Sequence, residues 1–103
     1  MAAEFVDVMA VDDLPENKTM IVEAGSKRVL LANDEGEIRA LSPYCTHDGG
    51  DLDGEEVDDH EVICHRHGAR FDVRDGSVTR MPAVFGLSTF KTKVENGRIL
   101  VAV

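Results

Sequence analysis

Both cysteines and all four histidines of this 103-residue chain lie between positions 45 and 67. Apart from His60 they form two knots, Cys45-Thr46-His47 and Cys64-His65-Arg66-His67. The first reads C-x-H and the second C-x-x-H, with sixteen residues between His47 and Cys64. Two cysteines are too few for a disulfide-stapled secreted scaffold. Where thiols stay reduced, paired Cys and His read more readily as metal ligands than as a bridge. Two thiolates and two imidazoles offered by separate loops suit zinc or an iron–sulfur cluster. Structural zinc sites usually separate paired ligands by about two to four residues and pair like with like. Here each knot offers one Cys and one His, and the first pair has a single residue between. That is awkward for one tetrahedral ion and natural for a two-iron cluster to which each loop gives one ligand per iron.

Around this region the chain reads as short strands. Glu4–Met9 alternates polar and apolar residues, the period of a half-buried strand. Thr19–Val22 and Lys27–Leu31 flank a turn at Gly25-Ser26, and Asn33–Gly36 is a second turn before the strand Glu37–Leu41. Asn96-Gly97 separates Phe90–Val94 from Arg98–Val103, and Asp75-Gly76 separates Phe71–Val73 from Ser77–Thr79. No segment sustains a helical apolar period. The pattern predicts an all-β class built of antiparallel hairpins. The length, and the lack of a linker, repeat or low-complexity tract, predict one domain over 1–103. A loop-rich subdomain, approximately 42–83, is expected to be inserted in the β base.

Charge narrows the function classes. The chain has 20 acids against 11 bases, a formal charge of −9. A nucleic-acid binder needs a basic face, and so does a protein that docks on an anionic membrane. Met1–Asp13 holds four acids and no Lys or Arg, which does not fit a signal peptide. The longest apolar run is Ile99–Val103, far short of the ~20 residues of a spanning helix. The expectation is a soluble, cytoplasmic protein with no nucleic-acid or membrane partner. Eight acids lie between Asp48 and Glu61 with no Lys or Arg among them, and Arg66, Arg70, Arg74 and Arg80 follow. This stretch reads either as a solvated loop beside compensating bases or as a docking face that steers a basic partner.

Cys45-Thr46-His47, Cys64-x-x-His67-Gly68, Phe71-Asp72, Gly76 and Met81-Pro82-Ala83 together resemble the Rieske iron–sulfur domain. The resemblance covers essentially the whole chain. It is nearest to the small Rieske-type ferredoxins that serve bacterial aromatic-ring dioxygenases. It implies the Rieske fold and one 2Fe–2S cluster, with Cys45 and Cys64 on the inner iron and His47 and His67 on the outer one. The C-x-x-H spacing favours His67 over His65, which reads as a surface side chain. His60, between Asp59 and Glu61, is expected in a solvated loop. Gly49, Gly50 and Gly68 would let the loop backbone approach the sulfides, and Pro82 would belong to a third covering loop.

Respiratory Rieske proteins resemble this pattern but add a second Cys to each knot, forming a disulfide. The matching positions here are Gly50 and Arg66, so no such bridge can form. Those proteins also carry Ser and Tyr hydroxyls that bond to sulfur, where this chain has Ala69 and Phe71. Hydrogen bonds to sulfur stabilise the extra electron of the reduced cluster. Their loss predicts the low end of the Rieske range, near ~−150 mV rather than ~+300 mV. Two ferric ions, two sulfides and two thiolates sum to zero with neutral imidazoles. The midpoint is therefore expected above that of plant-type ferredoxins, and it should fall at alkaline pH as a bound imidazole loses its proton. The resemblance implies a one-electron carrier, not an enzyme with its own substrate. It would pass electrons from an NAD(P)H-dependent flavoprotein reductase to a terminal oxygenase, both docking near His47 and His67. The alternatives are a small subunit of an assimilatory nitrite reductase and a structural zinc or metal-sensing module.

Overall fold

A computed structural model describes residues 4–81, 83 and 85–103. Among the described residues the regular structure is almost wholly antiparallel β. Its strands are β1 (Phe5–Ala10), β2 (Thr19–Ala24), β3 (Lys27–Asp34), β4 (Glu37–Leu41), β5 (Val57–Asp58), β6 (Glu61–Ile63), β7 (Arg70–Asp72), β8 (Val78–Arg80), β9 (Thr89–Phe90), β10 (Thr92–Glu95) and β11 (Arg98–Ala102). A short 3₁₀ turn covers Val11–Asp13. Three sheets result, in the orders β1-β11-β10, β2-β3-β4-β9 and β5-β6-β7-β8. Among the described residues no helix is long and apolar enough to cross a membrane.

β3 explains how two layers share one wall. Its run Val29-Leu30-Leu31-Ala32 does not alternate, because both of its faces are buried. Leu30 and Ala32 pack toward Leu41, Leu52, Phe71 and the two cysteines. Val29 and Leu31 pack on the opposite side with Ile38, Ala40, Ile99 and Val101. Leu30, Leu31 and Leu41 are fully buried, and each such side chain contributes roughly 1.5–3 kcal/mol. β3 and β4 therefore form the partition between a β base and the half that carries both knots.

The loop-rich part also carries a complete sheet, β5-β6-β7-β8, whose β7–β8 pair is the hairpin expected about Asp75-Gly76. Its strands β5 and β6 are only two and three residues long, too short to show an alternating period. Two expectations need correction. The expected strand Phe90–Val94 is broken at Lys91: Phe90 pairs with Ala40 in one sheet, while Thr92 pairs with Val101 in another. The turn at Asn33–Gly36 is tighter than expected, because Asn33 and Asp34 pair with Ile38 and Glu37 and only Glu35-Gly36 turns. Pro82 and its covering role lie outside the described residues.

Side chains tie the two halves together. The Thr19 hydroxyl lies 3.0 Å from the carbonyl of Leu52 and 2.8 Å from that of Glu55. At the end of β3, the carboxylate of Asp34 is 2.7 Å from His60 Nδ1. His60 is thus not a purely solvated residue. It sits in the β5–β6 turn with a φ of +66°, and the Asp34 it contacts is buried. That hydrogen bond raises the pKa of His60, against an opposing desolvation.

Candidate metal centre

The two knots fold into the same local structure. The N–H of Cys45 donates to the carbonyl of Gly50, and the N–H of Gly49 donates back to the carbonyl of Cys45, both at 2.8 Å. In the second knot the N–H of Cys64 donates to Ala69 and that of Gly68 to Cys64, again at 2.8 Å. Each loop is therefore a closed six-residue ring that starts on a buried cysteine. The fifth residue is glycine in the left-handed region, with φ of +72° at Gly49 and +78° at Gly68. This return of the chain brings the backbone N–H groups of Arg66 and His67 toward the sulfur of Cys64, where they favour the thiolate. Burial pushes the Cys64 thiol up, while those N–H groups pull it down.

Laid position on position, the loops match Cys45 to Cys64, Thr46 to His65, His47 to Arg66, Asp48 to His67, Gly49 to Gly68 and Gly50 to Ala69. The side-chain pairs form across these positions. His47, third in its loop, meets His67, fourth in the other, with ring centroids 4.9 Å apart and planes at 83°. Asp48, fourth in its loop, meets Arg66, third in the other, at 2.8 Å. The unequal spacings C-x-H and C-x-x-H thus belong to two equal loops that face each other.

The cysteines are 1% and 0% exposed, whereas the ring of His67 is 47% exposed. Cys45 Sγ, Cys64 Sγ and an Asp48 carboxylate oxygen all lie within 4.8 Å of one another. The imidazoles are not in that close group; they stand as a pair at its outer side, with His67 Nε2 3.4 Å from Asp48 Oδ2. Two buried soft donors backed by amide N–H groups, beside two exposed imidazoles, fit a cluster that has one thiolate-bound and one imidazole-bound iron. The group is not a four-fold set closing on one ion.

The Rieske [2Fe-2S] domain family matches residues 4–91. The chain belongs to that family. A Rieske domain carries a 2Fe–2S cluster, which replaces the zinc reading. Over 101 residues the chain is 31% identical to the ferredoxin component of the naphthalene 1,2-dioxygenase/salicylate 5-hydroxylase systems of Ralstonia sp., covering 98% of this chain and 97% of that protein. It is 37% identical over 99 residues to the ferredoxin component of the alkene monooxygenase system of Xanthobacter autotrophicus, covering 95% and 80% of the two chains. The solved structure of the ferredoxin of carbazole 1,9a-dioxygenase from Nocardioides aromaticivorans IC177 superimposes with a TM-score of 0.86 at 29% identity, covering 95% of this chain and 96% of that one.

The other histidine of the second Rieske loop, His65, turns away. Its Nδ1 is 2.5 Å from Glu55 Oε2, its backbone N–H donates to the same carboxylate at 3.1 Å, and its side chain is 74% exposed. The acidic stretch is largely engaged from within. Asp48 is bound by Arg66, Asp53 accepts from the N–H of Ile21, Glu55 from His65, Glu56 from Lys18, and Asp58 and Glu61 both meet Arg70. Glu55 is itself buried. These pairings favour the compensated reading of the stretch over an open acidic face. Arg66 holds the Asp48 carboxyl far below the usual carboxylate range, with help from the N–H of Gly50. Sequence reasoning singled out neither Asp48 nor the buried Glu55. Only the match between equivalent positions of the two knots could have pointed to Asp48 and Arg66.

Proposed function

We propose that this chain is a one-electron carrier whose 2Fe–2S cluster is held by Cys45 and Cys64 on one iron and by His47 and His67 on the other. It takes electrons from an NAD(P)H-dependent flavoprotein reductase and delivers them to a terminal oxygenase. The observation that carries the reading is the face-to-face pair of equal loops, with two buried sulfurs behind and two histidine rings in front. When bound, the cluster supplies reversible one-electron chemistry at that tip. The chain's own residues do the rest. The cysteines are enclosed by Leu52, Val62 and Ala69, which keep water from the thiolate side. The histidines stand at the surface, where a partner can come close enough to exchange an electron. Because its relatives are ferredoxin components of such systems, the chain is read as a component of an oxidoreductase system and not itself an enzyme.

The names of the similar proteins support the oxygenase over a nitrite reductase as the destination, since they are ferredoxin components of dioxygenase, hydroxylase and monooxygenase systems. The functional unit is 1–103, with the cluster-binding part 42–83 inserted in the β base, and the setting is the cytoplasm. With Ala69 and Phe71 in place of hydroxyl donors, the midpoint belongs near ~−150 mV. The test is reconstitution with a reductase and an oxygenase of this class. NAD(P)H-driven turnover should require this chain and be lost on replacing His47 or His67 by Ala. Turnover that survives either change, or a midpoint well above zero, contradicts the proposal.

A further inference from the structure

The residues between the ligands make a second contact across the loops. The Arg66 fork meets Asp48 twice, Nε to Oδ2 at 2.8 Å and Nη2 to Oδ1 at 3.2 Å, while Nη1 donates to the carbonyl of Asp51 at 2.9 Å. Asp48 is fixed in turn by the N–H of Gly50 at 2.9 Å. All three guanidinium nitrogens of the second loop thus act on the first loop and its exit. The guanidinium also lies directly on Gly50: a Cβ there would stand 2.7 Å from Nη2, 2.8 Å from Cζ and 3.0 Å from Nε. These three nearest atoms all belong to Arg66, and Gly50 does not take the left-handed backbone. A side chain at 50 would therefore have to push the Arg66 guanidinium aside.

We infer that Arg66 is a positioning residue, a clamp that locks the second ligand loop onto the first through Asp48, Asp51 and the bare backbone of Gly50, and so sets how firmly the cluster is held. The inference rests on the ligand set proposed above. A planar fork matching a carboxylate in two places fixes orientation as well as distance, which a point charge does not. The pair lies beside the histidines, with Asp48 Oδ2 shared between Arg66 Nε and, at 3.4 Å, His67 Nε2. Loss of Arg66 would unfasten the loops and also leave the Asp48 carboxylate uncompensated next to an iron ligand.

The experiment follows iron release to a chelator from anaerobic holoprotein by the decay of visible absorption, together with the midpoint potential and the thermal melt of each protein. Arg66→Met should release iron about ten- to a hundred-fold faster, the usual cost of losing an outer-shell partner, and its midpoint should fall. Arg66→Lys should restore the midpoint but only part of the retention. Gly50→Ala should speed release in the wild-type background and add little to Arg66→Met, since the three atoms nearest its added Cβ all belong to Arg66. Release from Arg66→Met at the wild-type rate overturns the clamp alone. So do independent, additive effects of Gly50→Ala and Arg66→Met, and so does faster release that only tracks a lower melting temperature with an unchanged midpoint. A wild-type protein without 2Fe–2S absorption overturns the ligand assignment and the clamp with it.

Discussion

The two ligand loops differ in sequence at every matched position but the cysteine and the glycine, yet they close with the same hydrogen bonds. The cysteine fixes where each loop starts in the core, and the left-handed glycine fixes where it returns. What varies lies between them: His47 and Asp48 in one loop, Arg66 and His67 in the other. Because the loops face each other, the histidine of one meets the histidine of the other, and the acid meets the base. One backbone solution, used twice, thus yields a pair of exposed imidazoles on one diagonal and an ionic fastening on the other.

If the loops are equivalent, Cys45→Ala and Cys64→Ala should each abolish the 2Fe–2S spectrum and leave iron content near zero. A variant of either that keeps the spectrum breaks the equivalence at its root. Replacing one imidazole by a thiolate, as His47→Cys or His67→Cys, adds one negative charge to the centre. The midpoint of either variant should drop toward the value of about −400 mV typical of plant-type ferredoxins. A midpoint that moves for only one of the two histidines makes the loops unequal ligands.

The glycines offer a finer comparison. An added Cβ at Gly49 or Gly68 meets nothing within 4 Å, so Ala there is strained only by its backbone. That strain is about 1–2 kcal/mol, and each kcal/mol lowers the melting temperature of a domain of this size by roughly 4–8 °C. The two variants should fall by similar amounts in a calorimetric scan. A much larger loss for one means that its loop is closed by more than the shared pair of hydrogen bonds.

The smallest effect lies outside the loops, at His60. Asp34 raises its folded-state pKa above the ordinary value, with Arg74 opposing. The stabilisation is therefore complete below the unfolded-state pKa of about 6.5 and is lost as the pH rises through the folded-state value. The melting-temperature difference between wild type and His60→Ala should be greatest in mild acid and shrink toward alkaline pH. A difference that grows on raising the pH reverses the sign of the link.

The residues made the site more legible than its supports. Cys45, His47, Cys64 and His67 stand out because soft donors are scarce and clustered, and the base strands stand out because five to eight residues suffice to show a pattern. In sheet β5-β6-β7-β8 the hairpin β7–β8 showed through its Asp75-Gly76 turn, whereas β5 and β6 were hidden because strands of two and three residues carry no period. Asp48 and Glu55 were hidden inside an acidic run whose charges look alike in sequence. Their partners, Arg66 and His65, are eighteen and ten residues away, and only the folded loops bring them together. The break at Lys91 was equally invisible, because one extended stretch can serve two sheets without changing its composition.

If each loop supplies one cysteine and one histidine to a single two-iron cluster, both histidines must carry unpaired spin density in the reduced state. Electron spin-echo modulation of the dithionite-reduced protein, uniformly labelled with ¹⁵N-histidine, reads this out. Two strongly coupled histidine nitrogens are expected, one lost in a His47 variant and the other in a His67 variant, with His65→Ala and His60→Ala unchanged. A reduced spectrum without strong histidine coupling, or one whose coupling disappears with His65, would contradict this ligand set.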